Sequence, residues 1–304
     1  MASSSEKSVS LVLGSGGARG LAHIGVIRWL EENNYKIQSI SGSSIGALIG
    51  GLYACGKMDE YESWLKGMGK TDFLALMDIA WNRSGLIRGD KLVAAIKKLI
   101  DEPNIEDLPI SFTAVATDIN HEKEVWLQKG SLLDAMRASF SLPMIFMPYK
   151  HNGLTLIDGG VLNPIPIAPT FGENCDLTIA VNLGGKPKVT IHHNEVKETQ
   201  KTSKDDGWIP SLYTMMDSIK EYFRSDTDPL KTPFSWDVYD ISNKAFDSMQ
   251  NSIARQQLAA YPPDITIEIP RNACGMLEFS LVDKMVKLGY ERCQEELGDK
   301  IEDA

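Results

Sequence analysis

The first 56 residues contain the pattern that most restricts the fold. A β-branched and leucine run, S-V-S-L-V-L (8–13), is followed by a glycine turn, G-S-G-G-A-R-G (14–20), and then by L-A-H-I-G-V-I-R-W-L-E-E, with apolar residues at helical spacing. The order then repeats: a short strand around residues 37–41 enters I-S-G-S-S-I-G-A-L (40–48), and an apolar helix follows that ends at Gly56. Two strand–turn–helix units in succession predict a parallel sheet with right-handed crossovers. Gly46, Ala47, Gly50, Gly51 and Ala54 give the second helix a small surface that can lie close to that sheet.

Downstream, residues 59–100 read as mainly helical with a break over 82–89, and K-L-V-A-A-I-K-K-L-I is the clearest amphipathic segment. I-S-F-T-A-V-A-T-D and L-T-I-A-V-N-L read as buried strands. Between them, L-L-D-A-M-R-A-S-F reads as a helix stopped by Pro143, and L-T-L-I-D-G-G-V-L as two short strands around an Asp-Gly turn. A polar stretch over 184–207 reads as a linker. Helices near 208–223 and 237–258, the strand I-T-I-E-I and a helix over 278–298 follow. The expected organisation is a core at 8–185, a linker and helical insertion at 186–232, and a C-terminal helix–strand–helix at 233–304 that completes the same domain.

With 304 residues, 43% of them hydrophobic, the chain has material for a large core. A net charge of −10 argues against nucleic acid as a partner, which calls for a basic surface. Cys55, Cys175, Cys274 and Cys293 form no C-x-x-C pair, so a reducing, cytoplasmic setting is expected and no zinc or redox motif is read. The polar start M-A-S-S-S-E-K lacks the order of a signal peptide, and apolar runs are too short to span a bilayer, so a soluble protein is expected.

The glycine turn can be tested against known phosphate loops. Counted from Gly14, the sixth position of a G-x-G-x-x-G fingerprint is Arg19, and no acidic residue closes the second strand, so a dinucleotide cofactor is not expected. The G-L-Y-A-C-G-K run at 51–57 has P-loop spacing, but Met58 stands where Ser or Thr is needed, and the run ends a helix. What remains is an anion site of backbone N–H groups at a helix start, with Gly16 and Gly17 as donors beside Arg19, or simply a tight connection. Gly42-Ser43-Ser44-Ile45-Gly46 suits a sharp strand-to-helix elbow that exposes Ser44, although a small-residue helix cap has the same composition. A serine needs a base. His23 falls in the first helix, His121 and His151 in polar turns, and His192 and His193 in the linker, so none is well placed. Asp158, after an apolar run and before Gly159-Gly160, is the better candidate, although Asp-Gly is also an ordinary turn.

In this order, the glycine loop, the G-x-S-x-G elbow, A-T-D at 116–118, R-A-S-F-S-L-P-M-I-F-M-P at 137–148 and the Asp-Gly-Gly motif resemble the patatin-like phospholipase family, and in particular its bacterial members related to neuropathy target esterase. The resemblance is good over 8–185 and looser beyond. It implies a three-layer α/β/α sandwich with a mostly parallel sheet and a Ser-Asp dyad without histidine. Ser44 matches the nucleophile and Asp158 the base; Gly16, Gly17 and Arg19 match the oxyanion loop; Gly14, Gly20, Gly42, Gly46, Gly159 and Gly160 match the motif glycines. Ser15 stands where the family's loop has glycine, and Ile119-Asn120-His121 where it often has Thr-Gly.

The resemblance implies a lipid acyl hydrolase of phospholipase A or lysophospholipase type that works through an acyl-enzyme, without cofactor or metal. Phospholipids, lysophospholipids or other fatty-acyl esters are the implied substrates. A broader carboxylesterase or thioesterase, and a lipid-binding regulator that keeps the fold without turnover, are the alternatives. W-I-P-S-L-Y-T-M-M (208–216) and Phe234-Ser235-Trp236 have four uses open to them: core packing, an acyl pocket, a homodimer contact, or peripheral contact with a membrane.

Overall fold

The computed structural model describes residues 6–69, 76, 88–187 and 235–298. The chain divides into two compact units, Met1–Lys188 with Ala245–Ala304, and Val189–Lys244. Of the second unit, only the helical residues 235–244 are described. The 208–223 helix and most of the linker expected from the sequence therefore lie outside the described residues.

Among the described residues the eight strands are β1 (Lys7–Leu13), β2 (Tyr35–Ser43), β3 (Ser111–Asp118), β4 (Lys123–Leu127), β5 (Tyr149–His151), β6 (Leu154–Asp158), β7 (Leu177–Gly185) and β8 (Ile265–Pro270). The helices are α1 (Ala22–Glu32), α2 (Ile45–Ala54), α3 (Met58–Gly67), α4 (Asp90–Ile100), α5 (Leu132–Ser139), α6 (Ser235–Ala260) and α7 (Val282–Leu297). All the strands join one sheet, ordered β5-β6-β3-β2-β1-β7-β8 with β4 also on β3. The five strands from β3 to β8 along this path pair in parallel, and β4, β5 and β6 pair antiparallel. This is the α/β architecture with a mostly parallel sheet that the strand–turn–helix repeat predicts.

Burial of both sheet faces explains why β1 ends in an unbroken apolar run, Leu11-Val12-Leu13. Leu11 and Leu13 join the large core that also takes in residues of α1, α2, α3, α5 and α7. Val12 points the other way, into a smaller core with Ile165, Ile167, Ala180 and Ala254 of α6. Helices thus cover both faces, as parallel sheets require. From β1 the chain moves one way to β2 and β3, and later the other way to β7 and β8. The reversal lies between β1 and β7, and the crevice at the carboxyl ends of strands at such a reversal is where open α/β sheets bind ligands.

One detail of register places the site. β4 occupies one edge of β3 over Ala114–Asp118, so β2 and β6 must share the opposite edge. β2 pairs with Ser111–Val115 and ends at Ser43; β6 takes over at Ala116, opposite Asp158. The end of β2 and the end of β6 therefore meet along one strand edge.

Three readings are corrected. Asp158-Gly159 does not turn a hairpin: β6 runs into a 3-10 turn at Gly159–Val161, and the hairpin turn of β5 and β6 is Asn152-Gly153, with φ of 47° and 81°. Gly184 and Gly185 are the last residues of β7 and not the start of a linker. The second strand is nine residues long and not five, because Tyr35 and Ser43 both pair with neighbours.

Candidate active site

Ser44 sits between the last residue of β2 and the first of α2, with φ 57° and ψ −122°. A non-glycine residue in this region is strained by about 1–3 kcal/mol, and the surrounding structure has to hold it there. The hold is identifiable. The Ser44 N–H donates to Ser139 Oγ at 2.9 Å, and Ser139 Oγ donates to the Val115 carbonyl at 2.6 Å, so the elbow is tied to α5 and to β3. The elbow also needs its glycines for space: a Cβ on Gly46 would lie 2.0 Å from the Leu13 carbonyl oxygen, and one on Gly42 2.6 Å from the Ala47 nitrogen. Gly46→Ala is expected to lower stability by about 3 kcal/mol or more, measured by denaturant unfolding, because the carbonyl that must move belongs to the central strand.

Asp158 is fully buried. Its Oδ2 accepts from Ser44 Oγ at 2.5 Å and its Oδ1 accepts from the Gly160 N–H at 2.7 Å. Burial pushes its pKa up to about 7, against the lowering effect of those two hydrogen bonds. The main chain is fixed as well, since the Asp158 N–H donates to the Ser141 carbonyl at 2.9 Å. Ser141 in turn is bonded to Arg137, whose Nη1 donates to Ser141 Oγ at 2.6 Å. The Arg137 guanidinium is enclosed by the rings of Phe140, Phe146 and Tyr149, each 5.4–5.6 Å from Cζ. The R-A-S-F-S-L-P segment therefore braces both members of the pair, Ser139 at the serine and Ser141 at the aspartate.

The glycine loop follows β1. Its first amides are occupied: Gly14 N–H donates to the Val181 carbonyl and Ser15 N–H to Pro164. Ala18 N–H donates to Met276 at 2.8 Å. Gly16 and Gly17 lie between them, and their N–H groups have no acceptor among the described residues. Gly17 has φ of +60°, the left-handed conformation that glycine adopts without cost. The Arg19 guanidinium is 5% exposed and is spent on the loop itself, with Nε to the Gly16 carbonyl at 3.0 Å and Nη1 to the Arg271 carbonyl at 3.0 Å. These contacts tie the loop to the 271 segment. Gly20 lies against Ile45, and Gly159 against the Val115 carbonyl, each too closely for a side chain.

Among the described residues, no histidine is bonded to Ser44 or Asp158. His23 is buried with Nε2 2.9 Å from the Gly14 carbonyl, and burial lowers its pKa to about 4. His121 lies 2.5 Å from Asp118 Oδ2, at the C-terminal end of β3. Ser44 and Gly17 line one side of a cleft whose other walls are apolar, formed by Leu48, Tyr61, Trp64, Leu65, Leu92, Phe140, Phe146, Met276 and Phe279 among others. Among the described residues no helix is long and apolar enough to cross a membrane.

The family model for patatin-like phospholipases matches residues 11–171, a span that contains the glycine loop, the elbow and the Asp-Gly-Gly turn. The chain belongs to the patatin-like phospholipase family. Over 94% of its length and 90% of theirs it is 36% identical to uncharacterized NTE family proteins of Mycobacterium bovis and Mycobacterium tuberculosis. It is 35% identical to a protein of Kluyveromyces lactis named lysophospholipase NTE1, over 59% of this chain and 13% of that much longer one. The part of the patatin-like chain outside the matched span includes α6, β8 and α7. From there come Met276 and Phe279, which the cleft uses and which no sequence motif marks.

Proposed function

We propose that this protein is a serine acyl hydrolase of lipid esters, with Ser44 as nucleophile and Asp158 as its base. The observation that carries this reading is the direct 2.5 Å hydrogen bond from Ser44 Oγ, in the lining of an apolar cleft, to a buried carboxylate. Ser44 Oγ attacks the ester carbonyl carbon while its proton passes to Asp158. The developing oxyanion is held by the Gly16 and Gly17 N–H groups, aided by the N-terminal end of α2. Collapse breaks the bond to the alcohol, which leaves with the proton from Asp158, and the acyl group stays on Ser44. A water then passes a proton to Asp158 as it attacks the same carbon; the tetrahedral species expels Ser44 Oγ, which recovers the proton, and a carboxylic acid is released.

An ordinary aspartate is a weak base for this work, and the raised pKa is the remedy. A carboxyl that titrates near 7 is much more basic than one at its usual 3.8 and is still substantially ionised at neutral pH. The apolar walls suit a fatty-acyl chain, and the relative named as a lysophospholipase supports phospholipid or lysophospholipid as the substrate class. Such substrates reside in membranes or micelles, so peripheral contact with a lipid surface belongs to the same reading. A broader esterase would use identical chemistry. A fluorophosphonate probe should label Ser44 and no other residue on peptide mapping, and kcat/KM for p-nitrophenyl esters should rise from acetyl to decanoyl. Labelling at another residue would end this reading; a flat chain-length profile would favour the general esterase.

A further inference from the structure

Helix α6 lies outside the span matched by the family model, yet one of its faces touches the glycine loop twice. Asp247 Oδ1 accepts from Arg19 Nη2 at 3.4 Å, and Arg19 is the residue that holds the Gly16 carbonyl. Gln250, one turn further along and 7% exposed, donates from Nε2 to Ser15 Oγ at 3.3 Å. The spacing of three residues puts both side chains on one side of the helix. The same amide also borders the turn after the aspartate: a Cβ on Gly160 would lie 2.4 Å from Gln250 Nε2 and 2.4 Å from Ser15 Oγ. Gln250 is thus wedged where the loop carrying Gly16 and the turn carrying the Gly160 N–H come together.

We infer that Gln250 is a positioning residue for the oxyanion loop, acting through Ser15. This rests on the proposed role of the Gly16 and Gly17 N–H groups. Ser15 precedes Gly16 directly, so the hydroxyl that Gln250 holds fixes the peptide plane from which the first donor projects. Gln250 bonds neither Ser44 nor Asp158, so its loss should weaken oxyanion stabilisation and leave proton transfer to Asp158 as it was. A donor misplaced by a fraction of an ångström falls short of the full loss of a donor, which gives an expected decrease of about ten- to a hundredfold in kcat.

The test uses Gln250→Met, which keeps the length without the donor, and Ser15→Ala, which removes the acceptor from the other side, with the double variant. Both single variants should lower kcat for a p-nitrophenyl ester and the rate of fluorophosphonate labelling by similar factors. KM and the pH midpoint of activity should not move. The double variant should be no worse than either single one, because the two side chains act through one bond. If Gln250→Met does not fold by circular dichroism, Ser15→Ala carries the same prediction alone. Wild-type rates in the variants, an effect confined to KM, additive losses or a shifted pH midpoint would overturn the inference while Ser44 labelling persists in the wild type. Absence of Ser44 labelling in the wild type would overturn the proposed function, and this inference with it.

Discussion

Replacing Ser44 by alanine is expected to reduce ester turnover by about four to six orders of magnitude and to abolish fluorophosphonate labelling, with the folded state preserved. The size follows from the mechanism: among the described residues no other hydroxyl is bonded to Asp158, and without an acyl acceptor the oxyanion donors have nothing to stabilise. Retention of the fold follows from the elbow, which is held by the Ser44 N–H and not by its side chain. The backbone strain is unchanged in Ser44→Ala, since alanine tolerates φ of 57° no better than serine. Ser44→Gly should relieve it. That variant should be as inactive as the alanine one but about 1 kcal/mol more stable than it by denaturant unfolding. An alanine variant that retains turnover would remove Ser44 from the chemistry. A glycine variant less stable than the alanine one would show that the elbow carries no strain.

Much of this site was legible because its parts are local. A positive-φ elbow between a strand and a helix has a local signature, since Gly42 and Gly46 must be small and Ser44 must stand between them. The glycine loop after β1 is marked in the same way, and the apolar runs of β1, β3 and β7 record burial on both faces of a parallel sheet. The Asp158 turn was misread because Asp-Gly and Asn-Gly carry the same turn chemistry. What chose between them was the pairing of β6 with β3, a contact between residues 158 and 116 that local pattern does not encode. Ser139 and Ser141 lay inside a motif the sequence displayed, but their roles depend on which carbonyl and which amide they reach across the sheet. The approach of α1 to α7, where a Cβ on Gly25 would lie 1.9 Å from the Val286 carbonyl oxygen and one on Gly289 1.9 Å from that of Ala22, had no signal beyond two glycines in helical stretches far apart. An acyl pocket is one of the four uses that the sequence leaves open to the aromatic stretches at 208–216 and 234–236. Phe234 and the first stretch lie outside the described residues, and the described walls come from α2, α3, α4, the 140–146 segment and the 276–279 turn.

Asp158→Asn is expected to separate activity from stability in opposite directions, with a pH dependence fixed by the buried carboxyl. Its pKa is about 7 in the folded protein and about 3.8 when exposed. Below about pH 4 both states hold the proton and burial of the neutral acid costs nothing extra. Between about pH 4 and 7 the unfolded chain releases the proton while the folded one keeps it, so wild-type stability falls by about 1.4 kcal/mol per pH unit. Above pH 7 both states are ionised and the full penalty, on the order of 4 kcal/mol, remains. Asparagine has a similar shape and no charge, so the variant escapes this loss. The stability of Asp158→Asn relative to wild type should be close to zero at pH 4 and rise to several kcal/mol in its favour at pH 8. His23, whose low pKa destabilises the fold as pH drops below its usual 6.5, is common to both proteins and cancels in the comparison. Activity runs the other way: wild-type kcat/KM should climb with pH to a plateau above about 7, as Asp158 becomes able to accept the serine proton, while the asparagine variant should be lower by about three orders of magnitude or more and lack that rise. Urea unfolding of the two proteins at pH 5, 6, 7 and 8, paired with pH–rate profiles, measures both trends. A variant less stable than wild type at pH 8, or a difference that ignores pH, would mean that Asp158 is not held in the folded protein against the cost of its charge.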